Sequence, residues 1–210
     1  MQNSIIEFII LAPPLLFALT FHEFAHGYVA WRFGDPTAKD AGRLTLNPLS
    51  HLDPIGTIAF FFIKFGWAKP VPVNPIYFKN PKRDMLWVAL AGPVTNLVLA
   101  VLSAFIIKMI WALATMLPYS PLAEAILIPL SRMLIASVWI NLVLCIFNFL
   151  PIPPLDGSRI LTGLLPDDLA RSYMQVERYG FIIILLLAFS GLLSRVILPI
   201  ISFANNMLLS

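Results

Sequence analysis

His22, Glu23 and His26 stand in the pattern His-Glu-Phe-Ala-His, an H-E-x-x-H motif. On a helix, positions four apart lie on one face about one turn apart, so both imidazoles can reach a single zinc ion. Glu23 is adjacent and can reach a zinc-bound water. Zinc brings the pKa of such a water to about 7, low enough for a carboxylate to take its proton. Ala25 and Gly27 are small and leave room for a metal and for a closely approaching helix. Five-residue patterns of this kind also occur by chance on solvated helices. This one lies within an apolar run, where ionisable groups are costly and functional by default, and it holds two of the chain's three histidines.

Two imidazoles leave a catalytic zinc one protein ligand short. The remaining histidine, His51, lies in the polar segment NPLSHLDPIG and reads as a loop residue, a group behind the ligands or a substrate contact. Asp156 offers a carboxylate. It follows an apolar helix and the Pro-rich stretch NFLPIPPLDG, so it reads either as the missing ligand or as an ordinary Asp-Gly turn. Asp53 can cap a helix that begins at Pro54, while Asp35 and Asp40 read as solvated loop charges. The single cysteine, Cys145, excludes an intrachain disulfide and a cysteine-rich metal site, and its apolar surroundings suit a packed small residue.

The elements that must position these residues are membrane helices. Of the 210 residues, 59% are hydrophobic and 12% charged, against about 45–50% and about 25% in soluble domains. Ile5 to Phe21 is almost wholly apolar and long enough to begin a spanning helix, which Pro13 and Pro14 would kink. It lacks a basic leader and a cleavage site, so it reads as a retained helix. Further long apolar runs cover about 85–117, 133–150 and 179–209. The stretch 54–66 is apolar but too short to span, and suits a re-entrant or interfacial segment. Arg43 to Leu46 could form a short strand, and the prolines of WAKPVPVNP (67–75) favour an extended edge. The expectation is one all-α membrane domain over 1–210, with about four transmembrane helices, a re-entrant segment and a short β-like loop near the site.

Eight of the fourteen lysines and arginines fall between Arg32 and Arg83, none between Pro118 and Ser131, and three (Arg159, Arg171, Arg178) between Pro151 and Arg178. Excess positive charge marks cytoplasmic loops. The first and third loops are therefore expected in the cytoplasm, with both termini on the opposite face. His22 lies ten residues before Arg32, about 15 Å along the helix, so His22 and Asp156 share the cytoplasmic half and can meet. No basic run resembles a nucleic-acid patch.

Taken together, these motifs resemble the site-2 protease family of intramembrane zinc metalloproteases, most closely its compact bacterial members without a PDZ domain. HEFAHG is similar to the family's metal-binding helix, FNFLPIPPLDG to the segment carrying the third ligand, and AGPVTN (91–96) to the intervening helix. GWAKPVPVNP resembles the loop thought to approach the substrate. The likeness spans roughly residues 15–165. It implies one zinc ion per chain on His22, His26 and Asp156, with Glu23 as general base and then acid. It also implies that Asn148, and less directly Asn96, polarises the scissile carbonyl or holds substrate backbone; an interhelical hydrogen bond is the alternative for both. The implied substrate is a membrane-spanning protein in a lipid bilayer, and the implied place is the inner (cytoplasmic) membrane, with the active site toward the cytoplasm. A non-catalytic zinc-binding scaffold and a metal transporter are the rivals. Against the first, Glu23 and Asp156 are both intact. Against the second, the second and fourth runs carry only the isolated charges Lys108 and Arg195 and no histidine.

Overall fold

A computed structural model of the chain describes residues 2–56, 68–116, 118 and 120–210. Eight α-helices are described: α1 (Gln2–Arg32), α2 (Thr37–Asp40), α3 (Pro81–Ala114), α4 (Pro121–Asn148), α5 (Asp156–Leu164), α6 (Asp167–Met174), α7 (Gly180–Phe189) and α8 (Leu192–Leu209). No strand occurs among the described residues, so the all-α expectation holds. The β-like loop is reduced to one isolated antiparallel bridge, Leu52 with Ala68. Arg43 to Leu46 forms bends and coil rather than the expected strand, because the Arg43 guanidinium and the His51 imidazole spend their hydrogen bonds crossing the loop, to the Lys69 and Thr45 carbonyls. The expected re-entrant segment falls mostly on 57–67, outside the described residues.

Among the described residues, five helical stretches are long and apolar enough to cross a membrane: Ile6–Arg32, Pro81–Ala114, Pro121–Asn148, Asp167–Phe189 and Leu192–Leu209. The sequence suggested about four. The extra one arises at Gly191, whose left-handed φ of 73° ends one helix and starts another inside what reads as a single apolar run. Four crossings would place both termini on one face, and five would place them on opposite faces.

The long helix α3 is central. It packs against α1, α4 and α5, while α4 also meets α1 and α8. Ala100 and Ala104 of α3, Val138 and Leu142 of α4, and Ile197 and Ile201 of α8 form one buried cluster. The alanines let the helix backbones approach, as lipid-embedded interfaces require. A second cluster joins Ala30 of α1 to Val88 of α3 and to Phe78. Large apolar side chains such as Phe105, Leu186 and Phe203 face outward, the arrangement expected where the surroundings are lipid.

Candidate functional site

Helix α1 carries His22, Glu23 and His26 on the face toward α3, and all three are buried. The two Nε2 atoms lie 3.0 Å apart. Asp156 opens α5 and directs Oδ2 to within 3.2 Å of His22 Nε2 and 3.3 Å of His26 Nε2. The chain between α4 and α5 doubles back to deliver it. Ile152 N–H donates to the Leu150 carbonyl and Leu155 N–H to the Ile152 carbonyl, while the Tyr173 hydroxyl of α6 donates to the Pro151 carbonyl at 2.7 Å. Gly157 follows Asp156 because a Cβ there would strike the Leu150 and Phe149 carbonyls.

The protons of both imidazoles are settled by what they face. His26 Nδ1 lies 2.7 Å from the Val88 carbonyl, which can only accept, so Nδ1 carries the hydrogen. His22 Nδ1 lies 2.6 Å from the Asn96 side-chain oxygen and likewise donates. Each neutral ring therefore presents a bare Nε2 lone pair, and both aim at Asp156 Oδ2, a buried oxygen with no hydrogen-bond partner. Three acceptor atoms converging on one point are mutually unfavourable unless a cation joins them. Their separations approach the edge of about 3.3 Å of a tetrahedron with bonds of about 2.0–2.1 Å to zinc. The residues fit a zinc ion. Gly92 of α3 lines the same point, since a Cβ there would lie 2.5 Å from His22 Cε1 and 2.7 Å from His22 Nε2.

The model of the family described as Peptidase family M50 matches residues 10–193 of this chain. The chain belongs to peptidase family M50. This M50 peptidase is 44% identical over 197 residues to the Bacillus subtilis protein named "Putative zinc metalloprotease YwhC", covering 93% of this chain and 87% of that one. It is 31% identical over 193 residues to a Mycolicibacterium smegmatis protein of the same description, Rip2, covering 90% of this chain and 70% of that one. No solved structure matches it at comparable significance. The resemblance to the site-2 protease family holds, and the chain is a zinc metalloprotease with several membrane helices.

The M50 peptidase thus gathers His22, His26 and Asp156, with Glu23 beside them. Glu23 Oε2 accepts a hydrogen bond from Val71 N–H at 2.8 Å, so the extended segment 68–74 lies across the motif helix. Asn148 is not drawn into this group. Its amide donates to the Leu144 carbonyl of its own helix at 2.9 Å. Asn96, in contrast, touches His22 directly and forms the interhelical bond considered as its alternative role. His51 is buried and its Nε2 donates to the Thr45 carbonyl at 2.8 Å. Asp53 caps the turn at 54–56 through Gly56 N–H, as expected. Asp35 departs from expectation. It is fully buried, and its carboxylate accepts from Thr37 and from Asn74 N–H at 2.7 Å, anchoring the segment 68–74 to the end of α1. Asn141 escaped sequence reasoning, although an amide inside the apolar run WINLVL is itself a signal. A cavity of about 490 Å³ between α3, α5 and α6 is a separate feature. Its cations Lys82, Arg159 and Arg171 are paired with Asp167, Glu177 and Asp168.

Proposed function

We propose that this M50 metalloprotease hydrolyses peptide bonds in or near the transmembrane segments of membrane proteins. One zinc ion per chain would be held by His22, His26 and Asp156, and Glu23 would act as the base. The observation that carries this reading is the convergence of two imidazole nitrogens, on a helix long and apolar enough to cross a membrane, with one buried carboxylate oxygen. Zinc bound there would make a water acidic and polarise a carbonyl.

The chain's own groups supply the rest. Val88 and Asn96 hold the two imidazoles with Nε2 forward. Glu23, one residue from His22, takes the proton of the attacking water and passes it to the leaving amine. Val71 N–H orients the Glu23 carboxylate by donating to its Oε2. Asn148 would steady the scissile carbonyl only after exchanging its bond to Leu144. The basic residues between Arg32 and Arg83 favour a site opening to the cytoplasm, in the inner membrane. Because lipid excludes water and helical carbonyls are already bonded, a substrate helix must unwind before cleavage.

The test is cleavage of single-span substrates in liposomes by wild type and Glu23→Gln, with zinc measured in both. Cleavage by wild type alone, with equal zinc in the two proteins, supports Glu23 as the base. Equal cleavage by both removes it from that role.

A further inference from the structure

Beyond the metal cluster lies a line of buried polar groups that crosses from α1 through α3 into α4. His22 Nδ1 meets Asn96 Oδ1 at 2.6 Å, and Asn96 Nδ2 meets Asn141 Oδ1 at 2.8 Å. Asn141 Nδ2 lies 2.9 Å from the Ser137 carbonyl and 3.2 Å from the Ser137 hydroxyl, which in turn contacts the Ser103 hydroxyl at 2.9 Å. Asn96 and Asn141 are both fully buried. Polar groups inside a span are expensive unless their hydrogen bonds are met within the protein, as they are along this line.

The line has a direction, and backbone carbonyls set it. The Ala18 carbonyl, 3.3 Å from Asn96, can only accept, so the nitrogen of that amide faces Ala18 and Asn141 and the oxygen faces His22. The Ser137 carbonyl can also only accept, so Asn141 turns its nitrogen there and its oxygen to Asn96. A flip of either amide would set two donors or two acceptors against each other at fully buried positions. Held this way, Asn96 can only accept from His22, which forces the hydrogen onto Nδ1 and leaves Nε2 bare.

We propose that Asn141, acting through Asn96, is a positioning residue that fixes the tautomer and ring orientation of His22 for metal binding. The inference rests on the zinc site proposed above. Groups bonded directly to a ligating imidazole, as Asn96 is, alter metal affinity about 10–100-fold when removed, and Asn141 acts through that group. Asn141 touches neither metal nor substrate, so its effect belongs to the affinity and geometry of the centre.

The test compares wild type, Asn141→Leu and Val138→Ala in detergent, reading the zinc dissociation constant by chelator competition and the visible spectrum of the cobalt-substituted protein. Val138 is a buried neighbour in α4 outside the polar line. Asn141→Leu should bind zinc about 10–100-fold more weakly with an altered cobalt spectrum, while Val138→Ala should match wild type in both. Wild-type affinity and spectrum in a folded Asn141→Leu would overturn the relay and leave the zinc site standing. A wild type that holds no zinc would instead remove the site itself. If Asn141→Leu does not fold, histidine ¹⁵N spectra of the zinc-loaded wild type decide. A protonated Nδ1 with metal at Nε2 supports the proposal, and metal at Nδ1 of His22 overturns it.

Discussion

Gly92→Ala should damage the metal centre without touching a ligand. The added Cβ would lie 2.5 Å from His22 Cε1, about 0.9 Å inside the 3.4 Å at which ordinary contact begins, and it would also press on His26 Nε2. Neither ring is free to retreat. Each is tethered by Nδ1 to α3, the helix that carries the new methyl: His22 to Asn96 and His26 to Val88. Moving α3 outward by about 0.9 Å would stretch bonds of 2.6 and 2.7 Å to about 3.5 Å, beyond hydrogen-bond range. Overpacking costs about 1–3 kcal/mol, and each buried partner left unsatisfied costs about 1–3 kcal/mol more. Misplacing a catalytic group by about 1 Å can cost about a hundredfold in rate. Purified Gly92→Ala should therefore retain less than one zinc per chain after chelator dialysis, measured by elemental analysis, and should cleave a single-span substrate at least about a hundredfold more slowly. Gly27→Ala in α1 is the control. Its Cβ meets Val71 Cγ1 at 3.0 Å and Ala38 Cβ at 3.3 Å, and no ligand, so zinc should stay. Full zinc and wild-type cleavage in Gly92→Ala would refute the reasoning that α3 and the imidazoles form one rigid cradle.

Asp35→Ala removes a buried acceptor from the Thr37 and Asn74 amides; thermal unfolding should show a loss of about 2–4 kcal/mol, and cleavage should fall as the segment bearing Val71 loosens. Gly157→Ala forces a methyl against the Leu150 and Phe149 carbonyls, which are backbone and cannot turn aside. It should displace Asp156 and lower zinc content in elemental analysis. Lys82→Ala removes an exposed pair with Asp167 and an exposed bond to the Leu165 carbonyl. It should leave the unfolding midpoint in the same assay close to that of wild type, because exposed pairs contribute little, and leave cleavage as it was.

The motif residues were legible because charge inside an apolar run is conspicuous and because a spacing of four on a helix has one geometric meaning. The helical, membrane-bound architecture followed from the same apolar runs. Asp156 was legible through the turn before it, the shared side of the membrane and the likeness of FNFLPIPPLDG to a known ligand-bearing segment, while its distance from the histidines needed the fold. Asn141 was harder to read: its partner is 45 positions away, and an amide in an apolar run also suits ordinary helix packing. Val88 could not be found from residue types, since its backbone carbonyl does the work. Asp35 sits among polar neighbours and looks solvated, yet Asn74, 39 positions on, closes over it. Gly191 split an apolar run whose hydropathy gives no hint of a break, because a left-handed residue changes the helix path without changing polarity.

The most direct test of the central claim is a zinc titration of the metal-stripped protein in liposomes, read by cleavage of a single-span substrate. The account predicts no cleavage without metal, a linear return on adding zinc, and saturation at one zinc per chain. Cleavage that persists in the stripped protein, or that needs more than one zinc per chain, would contradict it.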